Sequence, residues 1–481
     1  MSFEDTYEKQ LSYQTDRRKA TVELIRIVSD LWYERSIELV LFRNQIVDRN
    51  VSEILRLHEY AEDFVGKSIS IFDTVEIAKA IQTLDICPAR IDIGKLTYEY
   101  HIEGEENKNA TALVAKKLKG ASNDNIEPRD VVLYGFGRIG RLLAREIIAL
   151  TGNGIQLRLR AIVTRGAITE DVLEKRASLL QKDSVHGFFH GTVKADIQNS
   201  SLIINGIPVK VISANRPEEI DYTEYGINDA LIIDNTGAFR DEEALGLHLK
   251  AKGASKVLLT APGAGVPNIV YGVNHLDYDP NETNIFSAAS CTTNAITPIL
   301  KVIEDTFGVK HGHLETIHAY TNDQNLVDNM HKKHRRGRAA AVNMVITETG
   351  AGKAVAKALP SLSGKLTSNA IRVPVPNGSL AILNLELNKD THVEELNKVM
   401  KEYALQGNLV EQIQYATSNE LVSTDIIGSS APSIYDSKAT IVNEKGNNAI
   451  LYIWYDNEYG YSHQVVRLAK YIAQVRRFTY Y

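Results

Sequence analysis

The chain has 481 residues, 44% of them hydrophobic and 24% charged, and a formal net charge of −6. That length exceeds one core and asks for several domains, and the charge gives no reason to expect nucleic acid or an anionic membrane as partner. Two cysteines, Cys87 and Cys291, build no disulfide framework and fit a reducing compartment, while no stretch approaches the roughly 20 apolar residues of a membrane span. The opening MSFEDTYEKQ carries Glu4, Asp5 and Glu8 around no apolar core, so neither a signal nor a transit peptide is expected. The expectation is a soluble, cytoplasmic protein.

Residues 1–127 read as a mainly helical extension ending in a linker. Across Ala20–Phe42 the apolar residues Leu24, Val28 and Leu31 recur at helical spacing, which predicts one buried helix face. Asp73-Thr74-Val75-Glu76 has the form of a capping box opening a helix through Ile77, Ile81 and Leu84. Gly120–Asp130 is polar and poor in apolar residues, as a linker would be. Nothing in this part names a ligand; a contact within an oligomer is the first expectation for it.

After the linker the texture changes. The β-branched runs at 131–134, 157–163, 230–234 and 256–260 alternate with helical stretches, which predicts a parallel sheet with helices on its faces. The run VVLYGFGRIGRLLAREIIAL sets Gly135, Gly137 and Gly140 at the spacing G-x-G-x-x-G, after a strand and at the opening of a helix. There the first glycine permits a tight turn and the second lets the backbone approach a pyrophosphate. The third lets helix and strand pack closely, with the pyrophosphate on the helix N-terminus. An acidic residue about 20 positions on normally grips the ribose 2′-hydroxyl. Strand 157–163 is followed instead by Thr164-Arg165-Gly166. A threonine and an arginine suit a 2′-phosphate, which points to NADP or to both dinucleotides.

From residue 291 longer helices mix with strands at 371–375, 380–387 and 449–455, predicting a second, α+β domain. Cys291 lies in SAASCTTNAITP, ahead of a stripe of Ile296, Ile299, Leu300, Ile303 and Phe307. It therefore belongs at a helix N-terminus, where unpaired N–H groups and the helix dipole favour a thiolate. His318, in ETIHAYTND at the end of a strand-like run, would be its base.

SAASCTTN, IHAYTNDQ, RRGRAAA, TETGAGKAVAKALPSLSGKL, AIRVP and WYDNEYGYS stand in the order and spacing of phosphorylating glyceraldehyde-3-phosphate dehydrogenases. With GFGRIGR and DSVHGFFHGTVKA, the chain resembles that family from about residue 130 to 481. The resemblance implies a Rossmann-type domain over 128–290, completed by a C-terminal helix over 460–478, and a catalytic domain over 291–459. It implies Cys291 as nucleophile and His318 as base, acting on glyceraldehyde 3-phosphate with inorganic phosphate and NAD(P). Gly135, Gly137, Arg138, Ile139, Gly140, Thr164, Arg165, Thr236, Gly237, Thr260, Asn457 and Tyr461 would hold the cofactor. Ser290, Thr292, Thr349 and Gly350 would bind inorganic phosphate, and Thr321, Arg336 and Arg372 the substrate's own phosphate. No metal is implied. Members of this family are homotetramers, so a homo-oligomer is expected. HKKHRRGR at 331–338 falls in the loop bearing a phosphate-binding arginine rather than in a nucleic-acid patch.

Five departures from the family pattern stand out. Tyr134 stands for an asparagine before the first glycine, Thr164 for an aspartate in NAD-specific members, and Asn329-Met330 for a Leu-Pro pair. Ala295 replaces a frequent second cysteine, and Glu348 puts an acid beside Thr349 of the phosphate loop. Two alternatives remain at this level: an erythrose-4-phosphate dehydrogenase of the same fold, and a regulatory or scaffold protein that kept it.

Overall fold

The computed structural model describes residues 3–103, 109–121 and 126–481. The chain divides into two compact units, one of residues 1–127 with 151–156 and 476–481, the other of 128–150 and 157–475.

In the first unit, helices Phe3–Arg35, Val51–Val65, Ile71–Gln82, Ile93–Glu103 and Ala110–Lys117 accompany a four-stranded sheet. Its strand order is Asn44–Gln45, Ile37–Leu41, Ala89–Asp92, Phe478–Tyr480. Leu24, Ile27, Ile37, Leu39 and Ile91 are fully buried. The helix expected across 20–42 stops at Arg35, because Ser36 takes a left-handed φ of 49° and IELVL then runs on as a wholly buried strand. A short apolar run fits a buried strand as well as a helix face, so periodicity did not separate the two. The capping box expected at Asp73 is also displaced. The helix there begins at Ile71 behind Ser70, whose hydroxyl accepts from Phe72 N at 3.2 Å, and Asp73 lies in the first turn. A reciprocal box forms earlier, where Asn50 Oδ1 accepts from Glu53 N (3.0 Å) and Glu53 Oε2 from Asn50 N (2.9 Å).

Two distant segments complete this unit. The C-terminal helix expected over 460–478 runs only Tyr459–Ile472; Gln474 turns the chain at φ 56°, and Phe478–Tyr480 pairs in parallel with Ala89–Ile91. Arg477 forms a buried ion pair with Glu38. Ser36 hydrogen-bonds Asn153, and a Cβ on Gly152 (φ 53°) would sit 3.1 Å from the Trp32 ring. Of the predicted linker, 122–125 lie outside the described residues, and Arg129 and Asp130 already belong to a strand.

The second unit holds two eight-stranded sheets, the second counting one strand that pairs off its main path. The first is doubly wound, as the alternation predicted. Five parallel pairings join Ile285–Ser287, Ala254–Leu259, Ala230–Asp234, Arg129–Tyr134, Leu157–Thr164 and Ile207–Ser213 in that spatial order. Two antiparallel strands, Ser201–Ile204 and Val193–Asp196, extend its edge. Strand order reverses beside Arg129–Tyr134, so a crevice opens beyond the carboxyl ends of that strand and Ala230–Asp234. The second sheet is mixed and centres on Val309–Ala319, flanked by Leu366–Val373 in parallel and Ser379–Leu387 antiparallel. Asn448–Tyr455 follows, its buried residues Ala449, Leu451, Ile453 and Tyr455 alternating with half-buried ones. Helix Cys291–Thr306 is buried along most of its length.

Candidate active site

The glycine-rich turn has the geometry its spacing requires. Gly135 takes φ 104° directly after strand Arg129–Tyr134. A Cβ on Gly140 would stand 2.6 Å from Asn235 Oδ1 and 2.7 Å from Gly135 O, so only glycine lets the helix seat on the turn. A Cβ on Gly137 would meet nothing within 4 Å, and the helix Arg138–Ala149 that it caps has no side-chain cap. Its first N–H groups are left to an external acceptor, as a pyrophosphate-binding helix needs. Beside the turn a cavity of about 240 Å³ is lined by Tyr134, Gly135, Val163, Thr164, Arg165, Ala214, Thr236 and Ala238. The residues fit a dinucleotide: an uncapped helix start, an open glycine and a cavity at the switch point.

The remaining expected cofactor residues surround that turn. Thr236 donates from its N–H and hydroxyl to Asp234 Oδ1 (2.8 and 2.7 Å), followed by Gly237 at φ 68°. Thr260 donates to Asp234 O (3.2 Å), and Ile139 is half-buried in the helix's first turn. Arg138 is spent otherwise. Its guanidinium grips Glu458 (Nε–Oε1 2.6 Å) and Asp183 (3.3 Å), while His186 Nε2 lies 2.9 Å from Glu458 Oε2. Only its backbone N–H is left to face a ligand.

Cys291 is the first residue of its helix, behind Ser290, whose hydroxyl accepts from Thr293 N at 3.1 Å. The turn before it is held at Ala289, with φ 54°, whose carbonyl accepts from the buried Tyr461 hydroxyl at 2.9 Å. Cys291 Sγ faces His318 Nε2 at 3.6 Å. His318 Nδ1 lies 2.7 Å from both Ala319 O and Arg372 Nη1; with the ring proton on Nδ1, donated to that carbonyl, the Nε2 lone pair would face sulfur. Arg372 Nη1 donates to the same carbonyl at 2.8 Å. Burial, then Arg372, pushes the His318 pKa down to about 3, so the imidazole is neutral at physiological pH. The expected thiolate is corrected here. Burial raises the Cys291 pKa and outweighs the opposing pull of Arg372 and the helix-start donors. Both shifts favour a neutral thiol beside a neutral imidazole, although Cys291 itself is only half-buried.

Around this pair, Asn457 Oδ1 accepts from the Ser379 hydroxyl (2.7 Å), which itself accepts from Ala319 N (3.1 Å). Asn457 is thereby fixed to the strand that carries His318. Arg336 donates to Thr347 Oγ1 (3.1 Å) and is ion-paired with Asp323. Thr321 is half-buried nearby in sequence, its carbonyl accepting from Gln324 N at 2.9 Å. Thr349 Oγ1 accepts from Ala351 N (3.2 Å) at the start of helix Ala351–Ala358, whose N-cap Gly350 has open space around it. Glu348 is exposed.

Comparison with known proteins bears directly on this arrangement. Residues 129–242 match the glyceraldehyde 3-phosphate dehydrogenase NAD binding domain, and residues 290–457 the C-terminal domain of the same enzyme family. A glyceraldehyde-3-phosphate dehydrogenase from Clostridium pasteurianum is 41% identical, covering 72% of this chain and 99% of its own length. The chain belongs to the glyceraldehyde-3-phosphate dehydrogenase family. A glyceraldehyde-3-phosphate dehydrogenase 1 from Bacillus subtilis is 41% identical over 72% of this chain and 98% of its own length. A glyceraldehyde-3-phosphate dehydrogenase-like protein from Pseudomonas aeruginosa is 48% identical over 94% of this chain and 98% of its own length. That last alignment takes in most of the N-terminal extension, which the other two leave uncovered.

Within this family framework the sequence reasoning missed Tyr455. It is buried, its hydroxyl 3.1 Å from Thr292 Oγ1 and its ring edge-on to His318 at 5.9 Å. Thr292, expected at a phosphate, is engaged by that phenol. The signal was present in strand 448–455, where Tyr455 is the last inward position of an alternating run.

Proposed function

We propose that this protein oxidises glyceraldehyde 3-phosphate to 1,3-bisphosphoglycerate, reversibly, with inorganic phosphate as co-substrate. The observation that carries the reading is the 3.6 Å approach of Cys291 Sγ to Nε2 of His318 at a helix start. Sγ attacks the aldehyde carbon while Nε2 takes the thiol proton, and the resulting imidazolium faces the oxyanion of the thiohemiacetal. NAD(P) held at the Gly135–Gly140 turn would supply the hydride acceptor, and Cys291 would then carry the acyl group as a thioester. Inorganic phosphate then attacks the thioester carbon, the C–S bond breaks, and Cys291 returns as acyl phosphate leaves. Arg372, Thr321 and Arg336 suit the substrate phosphate, and Ser290, Thr349 and Gly350 the incoming one, with Arg336 exchanging Asp323 for ligand.

Asn457, held through its Oδ1 by Ser379, would offer its amide nitrogen to the nicotinamide carboxamide. Residues 128–290 form the cofactor domain and 291–459 the catalytic one. Thr164 and Arg165 at the cavity favour NADP or dual use. The exposed run of Leu326, Val327, Met330, Val342, Met344 and Ile346, from 56 to 91% accessible, supports a homo-oligomer that covers it. The test is turnover of purified protein with glyceraldehyde 3-phosphate, run with and without phosphate, on NAD and NADP in parallel. Phosphate-dependent turnover is expected. Its absence, with turnover of erythrose 4-phosphate instead, would move the assignment to that substrate.

A further inference from the structure

Arg138 and Glu458 belong to the two segments that the dinucleotide reading joins. Arg138 opens the helix Arg138–Ala149, whose first N–H groups are left to a pyrophosphate, and Glu458 directly follows Asn457. Their contact has two points: Arg138 Nε donates to Glu458 Oε1 at 2.6 Å and Nη2 to Oε2 at 2.5 Å. His186 Nε2 lies 2.9 Å from the same Oε2, and its ring stacks on Tyr459 with centroids 6.0 Å apart. Asp183 holds the guanidinium from another side, at 3.3 and 3.4 Å. Its own Oδ1 accepts from the N–H groups of Val185 (2.9 Å) and His186 (3.0 Å).

Glu458 does not serve its own helix. It is the N-cap residue of Tyr459–Ile472, yet its side chain makes no capping hydrogen bond there. Asp456 caps instead, its Oδ1 accepting from Glu458 N (2.9 Å) and Tyr459 N (2.8 Å). Three consecutive side chains therefore leave this turn in three directions. Asp456 accepts from Asn377 Nδ2 and Gly428 N, both at 2.8 Å, Asn457 accepts from Ser379, and Glu458 reaches the cofactor helix. The Glu458 side chain is only 14% exposed. Taking two such charges out of water costs about what their attraction returns, and the best-attested use of a buried pair is to fix register. A forked guanidinium suits that use, because two parallel hydrogen bonds set an angle as well as a distance.

We propose that Glu458 is a positioning residue for hydride transfer: through Arg138 it holds Asn457 in fixed register with the helix start that receives the pyrophosphate. This rests on the dinucleotide reading given above and adds to it the group that ties its two halves together. Without the tie each half keeps its own donors, but the span between them is no longer set.

The experiment compares the wild-type protein with Glu458→Gln, which keeps the shape and loses the charge, and Arg138→Lys, which keeps the charge and loses the fork. Calorimetry titrates each with ADP-ribose, which carries the pyrophosphate without the nicotinamide, and with whichever of NAD and NADP the wild type binds more tightly. Stopped flow then follows hydride transfer in the first turnover at saturating dinucleotide. In both variants we expect ADP-ribose to stay within about two-fold of wild type while the dinucleotide weakens about five-fold or more, the scale of one neutral hydrogen bond lost. First-turnover hydride transfer should slow by about ten- to a hundred-fold, the range that a misplacement of about 1 Å reaches. Equal weakening of ADP-ribose and dinucleotide would make the pair a fold-holding contact and overturn the proposal. So would a first turnover that stays within about two-fold of wild type. Wild-type protein that binds neither ligand would overturn the cofactor reading itself, an outcome separate from these two.

Discussion

Replacing His318 by asparagine separates the two accounts of how Cys291 becomes a nucleophile. If the helix start ionised the thiol, the base would matter little. The structure says otherwise, since burial holds the thiol above its ordinary range, where less than a few per cent is thiolate at pH 7. With a neutral histidine at 3.6 Å, the proton instead leaves as the carbon–sulfur bond forms. Loss of such a base costs about 10²–10⁴ in rate, or roughly 3–5 kcal/mol of barrier. Stopped-flow measurement of hydride transfer in the first turnover reads the step directly. Iodoacetamide alkylation from pH 6 to 10 gives the second readout. In His318→Asn its rate should climb about tenfold per pH unit through pH 9, because the thiolate fraction does so below the thiol pKa. A plateau below pH 8, or a first-turnover loss under tenfold, would refute the burial argument.

Gly140→Ala should lower stability by about 1–3 kcal/mol through overpacking and weaken dinucleotide binding more than thermal stability predicts, since its Cβ would strike Asn235 and the Gly135 carbonyl. Paired thermal melts with and without NAD(P) check this; an unchanged ligand-induced shift would contradict it. Glu38→Ala removes the carboxylate paired with the buried Arg477 guanidinium and should cost about 3–5 kcal/mol, read as lower urea resistance; a loss under 1 kcal/mol would show that the pair contributes little to stability. Acid should destabilise the fold in a defined window. Burial alone would raise the Glu458 and Glu146 carboxyls, yet Arg138 with His186, and His463, hold them below their ordinary range. Groups depressed in the folded state stabilise it fully above about pH 4.3, and that contribution fades as pH falls through their folded values. Arg138→Gln should therefore flatten the acid limb of a stability–pH curve; an unchanged limb would exclude the Glu458 network as its source.

The parts most legible in the sequence were those where one residue type alone satisfies the backbone. Gly135 and Gly140 were readable because nothing with a Cβ fits there, and Cys291 because the apolar stripe behind it fixed a helix start. Chain-distant pairing was opaque. Ile37–Leu41 looked like the rest of a helix, since its partner Ala89–Asp92 gives no local sign of itself, and Phe478–Tyr480 is too short to register as a strand. Tyr455 escaped because alternation marks it only as inward-facing, and which inward residue meets His318 is decided by packing. The thiol was misjudged for a related reason. A helix terminus can be read from sequence, whereas the depth at which it is buried cannot.

The strand at 478–480 also sets an order of events during synthesis. Ser36 and Arg477, which hydrogen-bond in the folded chain, are 441 residues apart. At about 5–20 residues per second of translation, the sheet that begins with Ile37–Leu41 waits on the order of half a minute for its last strand. Until then the open flank of Ala89–Asp92 is a row of unpaired backbone groups, the kind of edge that recruits foreign strands, and Glu38 lacks the Arg477 guanidinium. A nascent or truncated copy thus advertises its incompleteness at its oldest end, and only a chain read through to residue 480 closes that edge.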